Sequence, residues 1–298
     1  MVIISTMTTK SHASVSTAAR AAFLSATLLA AATMPAPAAE PDAETVGTLF
    51  NWYYATSFGT GAYTVGDTVV TVLTLPLGYT LREPDAEHWG IRLTLPASLA
   101  LGSFDLYNPA LDQIDDINLA AWSVLPGLEL TIPLAPHWRV NPFANVGWAQ
   151  ERETRGGAAL YQAGVSTLYA VPEITYPEIA IGARYLYAGY RSEGADSEPI
   201  SMAALGLGAT FPTSWTLAHG RQVNVGLHWI GRNYFSDLRF RLPAFGYTEI
   251  HGEHEIGVVL GLRPAVKVLG VPFNRIGFSY VMANNGLRGV RLVTEFPF

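Results

Sequence analysis

The chain has 298 residues, of which 49% are hydrophobic and only 14% charged, with a formal net charge of −6 and no cysteine. A soluble domain averages about 25% charged residues, so apolar surface is in excess, yet no run of ~18 or more apolar residues supplies a membrane helix. The missing cysteine excludes disulfides, thiolate metal sites and cysteine nucleophiles, and the acidic balance gives no reason for a nucleic-acid partner.

The first segment has the order of an export signal. Lys10 and Arg20 carry positive charge, Ala21 to Ala32 form an apolar core, and Ala36-Pro37-Ala38-Ala39 offers small residues before acidic Glu40-Pro41-Asp42. That core is about a dozen residues, short of the ~20 that a membrane helix needs. The expected organisation is a signal peptide over 1–39, cleaved after Ala38 or Ala39, and one β-barrel domain over 40–298.

A first strand is expected near Gly47 to Ser57, where Asn51-Trp52-Tyr53-Tyr54 puts aromatics on both faces. From Asp67 onward the polarity alternates with period 2. Leu73, Leu75, Leu77 and Tyr79 oppose Thr74, Gly78 and Thr80; Leu93 and Leu95 oppose Arg92 and Thr94; Trp122, Val124, Leu128, Leu130 and Ile132 oppose Ser123, Gly127, Glu129 and Thr131. Val146 and Trp148 oppose Asn145 and Gly147, and Tyr161, Val165 and Tyr169 oppose Gln162, Gly164 and Ser166. The second half repeats the rhythm: Ile181 and Tyr185 against Gly182 and Arg184, Leu205 and Leu207 against Gly206 and Gly208, Leu227 and Trp229 against His228, Ile256 and Val258 against Glu255 and Gly257, Phe278 and Tyr280 against Gly277 and Ser279. Such alternation marks half-buried strands. The polar face is rich in small residues that suit a lumen, and the apolar face carries Trp89, Trp122, Trp148, Tyr169 and Tyr187 near strand ends, as interfacial girdles do. The expected fold is therefore all-β: a transmembrane, antiparallel, up-and-down β-barrel of about 12 strands with both termini periplasmic.

Connections fall into two groups. Asp105 to Asp116, Glu151 to Gly157, Glu193 to Glu198 and Asp237 to Tyr247 are polar or long; Leu134 to His137, Val171 to Pro177, Pro212 to Gly220 and Pro264 to Pro272 contain proline. The first group is expected outside the cell and the second in the periplasm. Asn284-Asn285-Gly286 is expected to close the last hairpin tightly.

The ending places Val290, Leu292, Thr294, Phe296 and Phe298 on one face of a last strand and Arg291, Val293, Glu295 and Pro297 on the other. A chain that stops on an aromatic residue in such a strand resembles the C-terminal signal of bacterial outer-membrane β-barrels. The closing pair, Ile276 to Tyr280 and Gly286 to Phe298, resembles the end of autotransporter-type barrels, and the chain looks like the solitary autotransporter-like barrels that lack a passenger. The specific motif spans about the last 25 residues; the remainder matches in length and strand rhythm. The resemblance implies a Gram-negative outer-membrane location, contact with outer-membrane lipids and lipopolysaccharide, and handling by periplasmic chaperones and the barrel assembly machinery. Leu292, Phe296 and Phe298 take the role of assembly signal. A passenger and a pore-threading helix find no room between the cleavage site and the first strand, so the family's secretion function is not expected.

Chemistry is sparsely signalled. No mature histidine has serine two residues later, as the barrel phospholipase and deacylase resemblances would require, and no Asp-His pair of an omptin-like protease occurs. His251, Glu253 and Glu255 share a polar strand face, with His228 on the preceding strand. Alternate residues lie about 7 Å apart along a strand, so an ion-pair network with Arg184, Arg232 and Arg263 is expected rather than a metal site, because buried charges must be paired. The wider lumen set balances Arg92, Arg275 and Arg291 against Glu129, Glu178 and Glu295, which fits a plugged core or a narrow, weakly selective pore. No catalytic, cofactor or metal residue is assigned. The expected function is a non-enzymatic barrel, either a narrow, porin-like passive pore or a structural membrane protein. The alternatives are a rim enzyme acting on lipid or peptide, or an adhesin or receptor using Asp105 to Asp116.

Overall fold

The strand register closes the sheet on itself. In the computed structural model, residues 58–298 are described except 66–67, 86–87, 109–112, 153–156, 193–197, 218–219, 243–245, 269–270, 295 and 297. The expected signal peptide, 1–39, and the expected first strand near Gly47 to Ser57 lie outside the described residues. The strands are β1 (Gly61–Val65), β2 (Thr68–Arg82), β3 (Gly90–Asn108), β4 (Gln113–Val124), β5 (Gly127–Ala135), β6 (Trp138–Glu151) and β7 (Gly157–Thr175). Then come β8 (Glu178–Ser192), β9 (Glu198–Leu217), β10 (Arg221–Leu242), β11 (Gly246–Val268), β12 (Val271–Ala283) and β13 (Arg288–Val293).

β4 and β5 are two halves of one strand. Ala97↔Val124 and Thr94↔Gly127 keep a single register on β3, and Val124↔Trp148 and Gly127↔Asn145 keep one on β6. The Leu125 amide donates to the Pro96 carbonyl at 2.9 Å and the Val146 amide to the Pro126 carbonyl at 3.0 Å, so the ladder runs through; Pro126 has no N–H of its own to add. Among the described residues the wall thus has twelve strands, each antiparallel to its neighbours, and β13 pairs with β1 from Gly61↔Arg291 to Thr64↔Arg288. Pairing the last strand to the first removes the open edge along these residues, which is what lipid requires of a strand-built span. We call the end holding the start of β1 and the end of β13 the lower end.

The outward face is the one expected. Leu73, Leu75, Leu77, Tyr79, Leu93, Leu95, Leu207, Leu227, Val258, Leu260, Ile276 and Phe278 are all exposed. A soluble barrel would bury such side chains; here they form an apolar belt around a closed wall, the architecture of a membrane-spanning barrel. Exposed Trp89, Trp138, Tyr169, Tyr176 and Trp215 lie toward the lower end, and Trp122, Trp148 and Phe235 toward the upper, as interfacial girdles do. At mid-height of β9, Leu207→Arg is expected to cost about 2–4 kcal/mol, the range for a basic residue at the bilayer midplane. Urea unfolding of barrels folded into lipid vesicles measures it; a cost near zero would remove Leu207 from the lipid-facing belt.

The connections are shorter than the sequence suggests. Asp105 and Asp116 are cross-strand partners in β3 and β4, as are Leu106 and Asp115, so the expected surface loop is a paired ribbon. Pro212 lies within β9, and β11 and β12 run through Pro264 and Pro272. Beyond the belt no solvent contrast enforces alternation, yet backbone pairing continues. Pro212 and Pro264 sit beside register shifts, at 222–224 of β10 and 261–266 of β11, where a missing donor disturbs the ladder least. The last hairpin closes as expected: Asn285 has φ 57° and Gly286 φ 85°, and the Ala283 amide donates to the Leu287 carbonyl at 2.9 Å. Gly286 takes that positive φ without steric cost.

Candidate functional site

The lumen has two compartments. Its upper half is filled by inward side chains. Leu160, Leu186, Ile200, Met202, Ile230, Ile250 and Val281 are each 4% exposed or less, and Ala100, Ala121, Ala149, Ala158 and Ala188 pack among them. The small polar inward face expected from sequence therefore holds only in part: in β7, Leu160 sits above Gln162, Gly164 and Ser166 on the same face, and in β8 Leu186 sits above Arg184.

Set in this apolar layer is a charged cluster. From β10, Arg232 Nη1 donates to Glu253 Oε1 at 2.5 Å and Nη2 to Glu255 Oε2 at 2.7 Å. Both acceptors come from β11, and the register Arg232↔Glu253 places all three on one inward face. Arg291 of β13 donates to Glu255 Oε2 at 3.0 Å, and the Ser279 hydroxyl of β12 donates to Glu255 Oε1 at 2.6 Å. His228 Nε2 lies 3.5 Å from the same oxygen. Two guanidiniums thus face two carboxylates, and the side chains of His228, Arg232, Glu253 and Glu255 are all under 10% exposed. Buried charge is tolerable in such a layer only when paired and hydrogen-bonded.

Of the seven residues expected in the lumen network, His228, Arg232, Glu253 and Glu255 come together, and three do not. His251 is exposed above the cluster, with its backbone amide donating to Asn284 Oδ1 at 3.2 Å. Arg263 is eight residues below Glu255 on the same strand, roughly 27 Å away at strand rise. It pairs instead with Glu178 of β8, at 2.8 and 3.2 Å, where both are well exposed at the lower mouth. Arg184 faces the lower lumen with its guanidinium 4.5 Å from the centre of the Phe143 ring. Arg291 and Ser279 were placed on polar faces by the alternation, but nothing in local sequence says that they reach Glu255.

Below the filled layer lies a cavity of about 940 Å³, lined by Arg92, Glu129, Arg139, Asn141, Phe143, Asn145, Gln162, Arg184 and Arg275 among others. A chain of amides fixes one side: Gln162 Nε2 donates to Asn145 Oδ1 at 3.1 Å, and Asn145 Nδ2 donates to Thr94 Oγ1 at 2.8 Å and to the Leu125 carbonyl at 3.0 Å.

Phe296 and Phe298 also line this cavity, which corrects the expectation that they continue the lipid-facing side of the last strand. Leu292 keeps its place in β13, opposite Phe278. The Leu292 amide reaches the Thr60 carbonyl at 2.8 Å, and among the described residues the ladder to β1 goes no further. Past Val293 the chain leaves the wall and its rings turn inward. Phe298 is 6% exposed and rests where a Cβ on Gly182 or Gly206 would collide with its ring. Phe296 packs beside it at 5.3 Å and stands edge-on to His228 at 6.4 Å. The inward glycines of β8 and β9 give the rings an apolar seat that alternation along the chain does not reveal.

No family model and no curated protein sequence matches the chain. Among solved structures, the crystal structure of the beta domain of the Bordetella autotransporter BrkA is similar, with 13% identity, 79% of this chain and 96% of that chain covered, and a TM-score of 0.47. The closed barrel itself is carried by the strand register.

Proposed function

We propose that this chain is a non-enzymatic outer-membrane barrel, surrounded by outer-membrane lipid and lipopolysaccharide, that serves as a sealed structural element rather than a through-pore. The observation that carries this reading is the inward layer of Leu186, Ile200, Ile230 and Ile250, buried together with the neutral Arg–Glu cluster across the upper lumen. A conducting lumen needs water along its whole length, and an apolar layer of this kind excludes it. The even strand count and the apolar belt support the outer membrane, since closed barrels of this type are the strand-built spans of bacteria. Delivery by periplasmic chaperones and the barrel assembly machinery follows from the same reading.

The test is planar-bilayer recording on purified, heat-modifiable barrel. The expected result is no stepwise conductance across the voltage range in which porins conduct. Reproducible ohmic steps would overturn the sealed reading in favour of a narrow passive pore.

A further inference from the structure

We propose that the lower cavity is a binding site for a small, multiply charged anion of phosphate or carboxylate chemistry, which enters from the lower mouth. Its volume, about 940 Å³, is within the upper part of the range for small-molecule sites. Its charge is the first argument. Arg92, Arg139, Arg184 and Arg275 line it, and among the described residues no carboxylate lies within ion-pair distance of any of them. Glu129, cross-strand from Arg92, and Glu83 are the acids named in the lining, and Arg263 pairs with Glu178 at the mouth. The upper cluster pairs two cations with two carboxylates, whereas the cavity leaves most of its guanidiniums without a partner.

Proximity is the second argument. Arg275 experiences the charges of Arg263 and Arg139 together with that of Glu178, and Arg184 those of Arg232 and Arg291 together with that of Glu129, so cations outnumber acids around each. Like charges confined between protein walls repel more strongly than in open water, and an anion among them relieves that repulsion. The third is preorganisation. Arg184 lies over Phe143, and its Nε has no acceptor. A guanidinium stacked on a ring keeps its fork in one plane, which matches the paired oxygens of a phosphate or carboxylate. Phe296 and Phe298 line the cavity on the side of the filled layer, so among the described residues the lower mouth is the open side by which the anion enters. The site stands whether or not the barrel conducts.

The experiment uses tripolyphosphate as the probe, titrated into detergent-solubilised barrel at ionic strength held constant with sodium chloride. Calorimetry is expected to show saturable binding, with a rise in the thermal transition. The double variant Arg139→Gln, Arg275→Gln should bind at least tenfold more weakly. In the unaltered barrel, phenylglyoxal modification mapped by peptide mass should show tripolyphosphate protecting Arg139, Arg184 and Arg275 but not exposed Arg152 and Arg288. Binding that does not saturate, or protection equal at all five arginines, overturns the proposal. The footprint decides alone if the double variant fails to assemble. Protection by micelles doped with phosphatidylglycerol, without protection by tripolyphosphate, would overturn the soluble anion as occupant and assign the arginines to a lipid phosphate.

Discussion

Glu255→Gln is expected to lower the stability of the assembled barrel by about 3–5 kcal/mol, the range for removing one partner of a buried ion pair. The carboxylate is 1% exposed and receives Arg232, Arg291 and Ser279, with His228 alongside. Glutamine keeps the shape but presents one acceptor oxygen to two guanidiniums, leaving an uncompensated positive charge in a layer of leucine and isoleucine. Glu178→Gln is the control. Its pair with Arg263 lies open to water at the mouth, where ion pairs contribute about 0–1 kcal/mol. Urea unfolding of both variants in one detergent, followed by circular dichroism, makes the comparison. Equal losses would mean that water reaches Glu255, and the sealed upper lumen would fall with it.

Phe298→Ala is expected to cost about 3 kcal/mol once the barrel is assembled, toward the lower end of the range for emptying a buried phenylalanine site because one side borders the cavity. An assembly signal acts before folding is complete, so a ring with only that role would reduce yield and leave the melting of the purified, assembled variant unchanged. A ring seated on Gly182 and Gly206 contributes to the finished molecule. The thermal transition of assembled wild type and variant separates the two. An unchanged transition with reduced yield would return Phe298 to a purely signalling role.

The outward half of the fold was legible in the sequence because lipid imposes the same demand at every second residue. Leu73, Leu75, Leu77 and Tyr79 meet it one after another, and so do Ile256, Val258 and Leu260. Arg232, Glu253 and Glu255 were legible as a group because adjacent strands set them opposite one another. Arg291 was not, since it meets Glu255 from two strands away. Arg263 shares the inward parity of Glu255 but not its height, and parity carries no height; His251 is exposed beside buried Ile250, because the pairing of β10 and β11 shifts register between Asn233 and Leu238. β1 escaped notice because it has no apolar alternation: in Gly61-Ala62-Tyr63-Thr64-Val65 the large ring of Tyr63 points inward and Ala62 and Thr64 point out. The roles of Phe296 and Phe298 were hidden because alternation governs a chain only while it has a partner strand.

Among the described residues the joint between β1 and β13 has four registered pairs, whereas β10 and β11 share seventeen. A cylinder zipped so unevenly has one short latch, and regions with few pairs open at lower free energy than the rest. The latch is pinned from inside. Tyr63 donates its hydroxyl to the Gly59 carbonyl at 2.9 Å and stacks on Phe58 at 4.6 Å, and Arg291 on the other leaf of the joint is anchored through Glu255 to β11. The carboxylate that neutralises the upper lumen is thus also a tie across this short described joint, so that whatever loosens the charges loosens the closure of the wall itself.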